Sequence, residues 1–223
     1  MTGPALVAWH QDQAWAIETR RAHRTTQRRF YGWAVTQGLI ECSPALALPP
    51  VRPATPRPRP TPDQAYRAAL AAAGPRERLM IRLAAEAGLR RAEVAAVHPE
   101  RDLVEDLDGW SLWVHGKGGR DRLVPLPASL AAALLRLPAG WAFPGDDGGH
   151  LSPRWVGRLV TDLLPGEWTM HSLRHRAGTR WWRTSGGDMF AVQELLGHAS
   201  PVTTRVYVRV DADRLRRTVE GAL

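Results

Sequence analysis

Cysteine and lysine each occur once in these 223 residues, as Cys42 and Lys117. A single cysteine excludes an internal disulfide and any multi-cysteine zinc site, and its expected state is inert packing. No run of about eighteen uncharged apolar residues is present, so no membrane-crossing helix is expected. The start, MTGPALVAWHQDQAWAIETRR, lacks a charged stretch leading into an apolar one, which reads as no secretory signal and a cytoplasmic location. Tyrosine occurs three times, at Tyr31, Tyr66 and Tyr207.

What the chain does have is positive charge. Its formal net charge of +8 favours a polyanionic partner, because each cation placed near a phosphate releases condensed counterions. Arginine-rich composition also occurs in proteins without such a ligand, so the identity of the cations carries more than their number. Of 30 basic residues only Lys117 is not arginine. Arginine keeps its proton at any biological pH, whereas an ammonium can be tuned to release one.

The length allows one well-packed domain and a small second module. Residues 49–62, PPVRPATPRPRPTP, hold seven of the eighteen prolines and read as an extended linker. At roughly 3.1 Å per residue it could span about 40 Å. Residues 1–48 read as a short helical module, with Phe30, Trp33 and Ala34 at packing spacing. The segment RRAHRTTQRR places Arg20, Arg21, Arg24, Arg28 and Arg29 together with no acid. Such a stripe suits either a solvated basic face or contact with DNA phosphates and grooves.

Residues 63–223 form the second unit. Thr61, Pro62 and Gln64 predict a capping-box start for a helix running to about Ala73. A second helix follows over about 75 to 87 and stops at Gly88, after which RRAEVAAV resumes helix with Val94 and Val97 turned inward. The period then changes: GWSLWVHGKGGRDRLVPLP reads as two strands around a glycine turn carrying Lys117, joined by a third strand near Leu103 to Glu105. From Ser129 the pattern is helical again, broken at PGDDGG, PGE and SGGD. The expected fold is mainly α with a small antiparallel β-sheet.

HSLRHRAG sets His171, Arg174 and His175 on one face of one helical turn. Three cationic or proton-carrying groups repel unless an anion sits among them. A zinc helix would need a glutamate after the first histidine, where this chain has serine, so no metal is expected. HGKGGRD lies between two strands and lacks the Ser or Thr of a nucleotide-binding loop.

GLRRAEVAAV, HGKGGRDRLVPL, HSLRHRAG, LLGHAS and VTTRVYV follow one another in the order and approximate spacing of the tyrosine recombinases, and the sequence from about residue 62 onward resembles that family. The family includes phage integrases and bacterial chromosome-dimer recombinases. The compact size also resembles short integrases of actinobacterial phages without a separate arm-binding domain. The resemblance implies a catalytic set of Arg90, Lys117, His171, Arg174, His198 and Tyr207, with His175 and Glu93 in support. It also implies site-specific recombination of mobile, in particular phage, DNA by a 3′-phosphotyrosine intermediate. No metal or cofactor is implied.

The chemistry suits those residue types. Guanidiniums at Arg90 and Arg174 grip non-bridging phosphate oxygens. Lys117 protonates the departing 5′ oxygen, His171 takes the phenolic proton of Tyr207, and His198 donates to a phosphate oxygen. His175 is expected to orient Arg174. The implied partners are duplex DNA carrying attachment-type sites, three further protomers in a tetramer on that DNA, and an accessory excision or DNA-bending protein. The free protein is expected to be a monomer. The helix VDADRLRRTVEGAL could dock on a neighbour or on its own domain. A topoisomerase of type IB, or a DNA-binding protein without catalysis, are the competing functions. Two departures from the family stand out: the N-terminal module is about two helices short, and Arg176 occupies a position where many relatives have threonine.

Overall fold

The computed structural model describes residues 1–53, 59–116 and 118–197. The chain divides into two compact units, Met1–Pro56 and Arg57–Leu223.

The first unit contains α1 (Gly3–Gln11), α2 (Ile17–Thr36) and a 3₁₀ turn (Pro44–Ala47). Thr2 caps α1 by accepting the Ala5 N–H at 3.4 Å. The core is small: Leu6, Ala45 and Leu48 are buried, with Val7 and Tyr31 packed against them. Trp15 stacks on His23 at a ring separation of 4.0 Å and meets Trp9 and His10 edge-on. Two expectations are corrected. Phe30 and Trp33 are not core residues, being 56% and 52% exposed, whereas their neighbour Ala34 is buried. So short a unit has few inward positions on α2, and the smaller residue takes one. Cys42 is exposed rather than packed.

The second unit contains α3 (Asp63–Ala72), α4 (Pro75–Ala85), α5 (Arg91–Ala95) and α6 (Pro99–Asp102). The strands β1 (Leu103–Asp106), β2 (Gly109–Val114) and β3 (Arg122–Pro125) come next. They are followed by α7 (Ala128–Leu135), α8 (Pro153–Asp162), α9 (Met170–Thr184) and α10 (Met189–Leu196). The sheet is antiparallel in the order β1-β2-β3, with Leu112 opposite Leu103 on one side and Val124 on the other. From Leu79 to Ala85 α4 is apolar except at Arg82 and forms the centre of the core, with Leu79, Met80, Ile81, Leu83, Ala84 and Ala85 all buried.

α9 lies against α4, and its buried residues run from Met170 to Gly178, toward its N-terminal end. Here a third expectation is corrected. Thr61 does not cap α3; its hydroxyl lies 2.7 Å from Ser172 Oγ and its N–H donates to the Ser172 carbonyl at 3.1 Å. Pro62 stands at the α3 cap position and no side chain caps that helix. A local motif lost to a long-range partner 111 residues away.

Arg176 has a structural account. Its guanidinium donates to Asp63 at 2.6 Å and lies 4.1 Å from the Tyr66 ring centroid, and the Tyr66 hydroxyl donates to Glu86 at 2.6 Å. Burial, and after it the hydrogen bond to Glu86, pushes the Tyr66 phenol above its ordinary value. Arg176 thus joins α9 to α3 through charge and packing together.

Candidate active site

The site is built where α5 begins, α9 begins and α10 ends. Gly88 turns the chain between α4 and α5 with φ +63, and a Cβ there would come within 2.6 Å of the Trp181 ring. Only glycine serves both demands. The turn leaves Arg90 at the N-cap of α5 and Glu93 one turn later, where the Glu93 carboxylate accepts the Arg90 backbone N–H at 2.8 Å.

Glu93 is the hub. Its side chain is 5% exposed and receives both arms of Arg122, at 3.0 and 2.8 Å, and the Arg90 guanidinium at 2.6 Å. Arg174 lies 3.6 Å away. Burial alone would raise the Glu93 pKa, but the Arg122 hydrogen bonds and charge, with help from the Arg90 N–H and Arg174, outweigh it and bring the carboxyl down to about 2. Glu93 is therefore an anion at neutral pH, and removing one partner from so buried a pair costs about 3–5 kcal/mol in proteins generally.

The same arginines finish α10. Arg122 donates to the Leu195 carbonyl at 2.9 Å, Arg174 to that of Leu196, and Arg90 to that of Gly197 at 3.3 Å. Three successive carbonyls that a helix end leaves unpaired are each met by a guanidinium, at the negative end of the helix dipole. Arg174 also donates to the Gly88 carbonyl. Gly197 closes the helix in the left-handed region, φ +57, and a Cβ there would lie 3.0 Å from Arg122 Cδ.

Three guanidiniums surround one carboxylate, so the cluster holds two positive charges in excess. Arg90, His171 and Arg174 line one cavity of about 690 Å³, together with Arg91, Arg154 and Arg158. Arg174 is 2% exposed, whereas the Arg90 side chain is 41% exposed. His171 and His175 meet at 3.0 Å between their Nε2 atoms. Partial burial, then the charges of Arg174 and Arg90, lower the His171 pKa. Burial, then His171 and Arg174, brings His175 to about 4. Both shifts favour the neutral imidazoles, and the tautomer decides which Nε2 donates to the other.

Of the residues singled out from the sequence, Arg90, Glu93, His171, Arg174 and His175 come together. Lys117, His198 and Tyr207 lie outside the described residues, as does VDADRLRRTVEGAL. Lys117 falls in sequence between β2 and β3, and His198 directly after Gly197. Arg122 was missed, because its inward place on β3, alternating with buried Val124 while Leu123 between them is 41% exposed, shows only in the fold. Arg91, Arg154 and Arg158 were also missed, the last two a helical turn apart on α8.

In the first unit, Arg20 donates to the Gln13 carbonyl at 2.9 Å, Arg21 pairs with Glu18 at 2.7 Å, and Arg24 donates to the Leu48 carbonyl at 3.3 Å. Arg28 and Arg29 are exposed. Among the described residues, no three His, Cys, Asp or Glu side chains are grouped to hold a metal ion, and no helix is long and apolar enough to cross a membrane.

Comparison with known proteins places this geometry. Residues 61–214 match the model of the phage integrase family. The tyrosine recombinase XerC of Xanthomonas campestris is 36% identical over 214 residues, an alignment covering 87% of this chain. The chain spans 65% of that relative's length. Among solved structures, the integrase of mycobacterium phage Brujita is 28% identical with a TM-score of 0.57, covering 99% of this chain and 77% of that one. The XerH site-specific recombinase bound to its difH substrate superimposes with a TM-score of 0.75 at 20% identity, covering 98% of this chain and 70% of that one. The cation cluster around Glu93 therefore sits in a fold shared with these recombinases, and the chain belongs to the phage integrase family of tyrosine recombinases.

Proposed function

We propose that this protein is a site-specific DNA recombinase that breaks and rejoins strands through a 3′-phosphotyrosine bond at Tyr207, in the integration or excision of mobile DNA. The observation that carries the reading is the single cavity on which Arg90, His171 and Arg174 converge. Its net positive charge is held rigid by Glu93 and the end of α10. Preorganised donors of this kind stabilise the charge that develops on phosphate oxygens and need no reorganisation when it appears.

In this reading the Tyr207 oxygen attacks phosphorus, the bond from phosphorus to the 5′ oxygen breaks, and a proton from Lys117 Nζ ends on that oxygen. The phenolic proton passes to His171. In the tautomer in which His171 Nε2–H donates to His175, the Nδ1 of His171 is the bare nitrogen that accepts, and His175 orients the base. His198 donates to a non-bridging oxygen. The phosphotyrosine bond conserves the energy of the broken linkage, so a 5′ hydroxyl from a second duplex reverses the step without ATP, metal or cofactor.

Duplex DNA is the partner that matches this charge, and a lambda integrase of similar fold was solved bound to DNA. The helical module of residues 1–48 would add Arg28 and Arg29 to the contacts, with Arg20, Arg21 and Arg24 bracing it. Exchange between two duplexes cuts four strands, which calls for four protomers, with an accessory DNA-bending protein as a further partner.

A plasmid assay separates recombination from topoisomerase action. A supercoiled plasmid carrying two copies of the target site should yield two circles with the wild type and none with Tyr207→Phe. Relaxation of a plasmid without the site, at equal rate, would instead make the protein a type IB topoisomerase.

A further inference from the structure

The root of the β2–β3 hairpin carries a polar clamp that neither the core nor the cavity uses. Asp121, the residue before β3, accepts three hydrogen bonds from the chain that precedes Lys117. They come from the Trp113 indole N–H at 3.2 Å, His115 Nδ1 at 3.1 Å and the Gly116 N–H at 3.1 Å. The other nitrogen of His115 lies 3.4 Å from Asp102, whose side chain is 3% exposed. Asp102 is itself fixed by the His98 N–H at 2.9 Å and Arg101 at 2.7 Å. The imidazole therefore links a carboxylate anchored on α6 to one on the hairpin.

Gly116 tightens the same place, since a Cβ there would lie 1.9 Å from the Arg120 carbonyl oxygen. Beyond it, Gly118 and Gly119 have φ +76 and +72. Glycines make a loop permissive, and a lysine stem adds four rotatable carbons. A proton donor must nevertheless lie within hydrogen-bond reach of its target, and a misplacement of about 1 Å can cost about a hundredfold. Lys117 is the first residue past the clamp.

We propose that Asp121 is a positioning residue for Lys117: through His115, Gly116 and Trp113 it fixes where the chain enters and leaves the loop from which the ammonium reaches the 5′ oxygen. The inference rests on the general-acid reading of Lys117.

The test is single-turnover cleavage of two duplexes, identical except that one has sulfur in place of the 5′ bridging oxygen at the cut. A thiol has a pKa of about 8.5, against about 15.7 for water, so sulfur departs as thiolate without a donated proton. Asp121→Ala should cleave the oxygen duplex about tenfold or more slowly, on the scale that misplacement costs, and the sulfur duplex at the wild-type rate. Asp121→Asn, which keeps one oxygen for the Gly116 N–H, should fall between, and it carries the comparison if the alanine variant does not fold. Equal slowing on both duplexes, or none on either, overturns the proposal. Lys117→Ala run beside it tells the two failures apart. If sulfur restores Lys117→Ala but not Asp121→Ala, only the role of Asp121 falls; if sulfur restores neither, the general-acid reading falls and the role of Asp121 with it.

Discussion

Replacing Arg174 with alanine is expected to slow single-turnover DNA cleavage by about a hundredfold or more, the scale of losing one preorganised donor to developing charge. The side chain is 3% exposed and held by the carbonyls of Gly88 and Leu196, so its place is set before any ligand arrives. Alanine would also leave those carbonyls without that donor, at about 1–3 kcal/mol for each group that stays buried and unsatisfied. A urea titration of the same variant separates that loss from the catalytic one. Arg174→Lys keeps the charge but not the planar fork, and should remain slow at saturating DNA. Cleavage at the normal rate by the alanine variant would show that the phosphate sits elsewhere.

Lys117→Arg is expected to bind DNA as the wild type does and to cleave it about a hundredfold or more slowly, since general acids contribute about 10² to 10⁴. Charge survives the change while the capacity to give up a proton does not. The sole lysine among 29 arginines then has a chemical reason. Gel-shift affinity and single-turnover rate, measured on one duplex, check both halves. An unchanged rate would remove Lys117 from the chemistry, and a loss of affinity alone would make it a phosphate contact.

The sheet and most helices were legible because glycine and proline mark their ends and the period switches between them, as at Gly88 and over residues 109–125. Half of the site was legible for the same reason: His171, Arg174 and His175 sit at helical spacing, so their meeting needs no knowledge of the fold. The hub was not. Glu93 was named only through the family resemblance; taken residue by residue it is an ordinary helix-start acid, and its role as hub shows only where Arg122, 29 residues on, reaches it from β3. Nor could the three arginines on the end of α10 be read, because each is brought there by a different element. The same limit explains the misread Thr61, whose partner Ser172 is on α9, and the unexplained Arg176, whose partners Asp63 and Tyr66 are on α3.

Tyr207 is expected to bond covalently to DNA. Mixing the protein, in EDTA, with nicked suicide duplexes made from DNA flanking its gene, and resolving the products on a denaturing gel, tests it directly. A slower protein–DNA band is expected with the wild type, absent with Tyr207→Phe. DNA that binds yet is never captured, across flanking and randomised duplexes alike, would contradict it and leave a DNA-binding protein without strand-breaking chemistry.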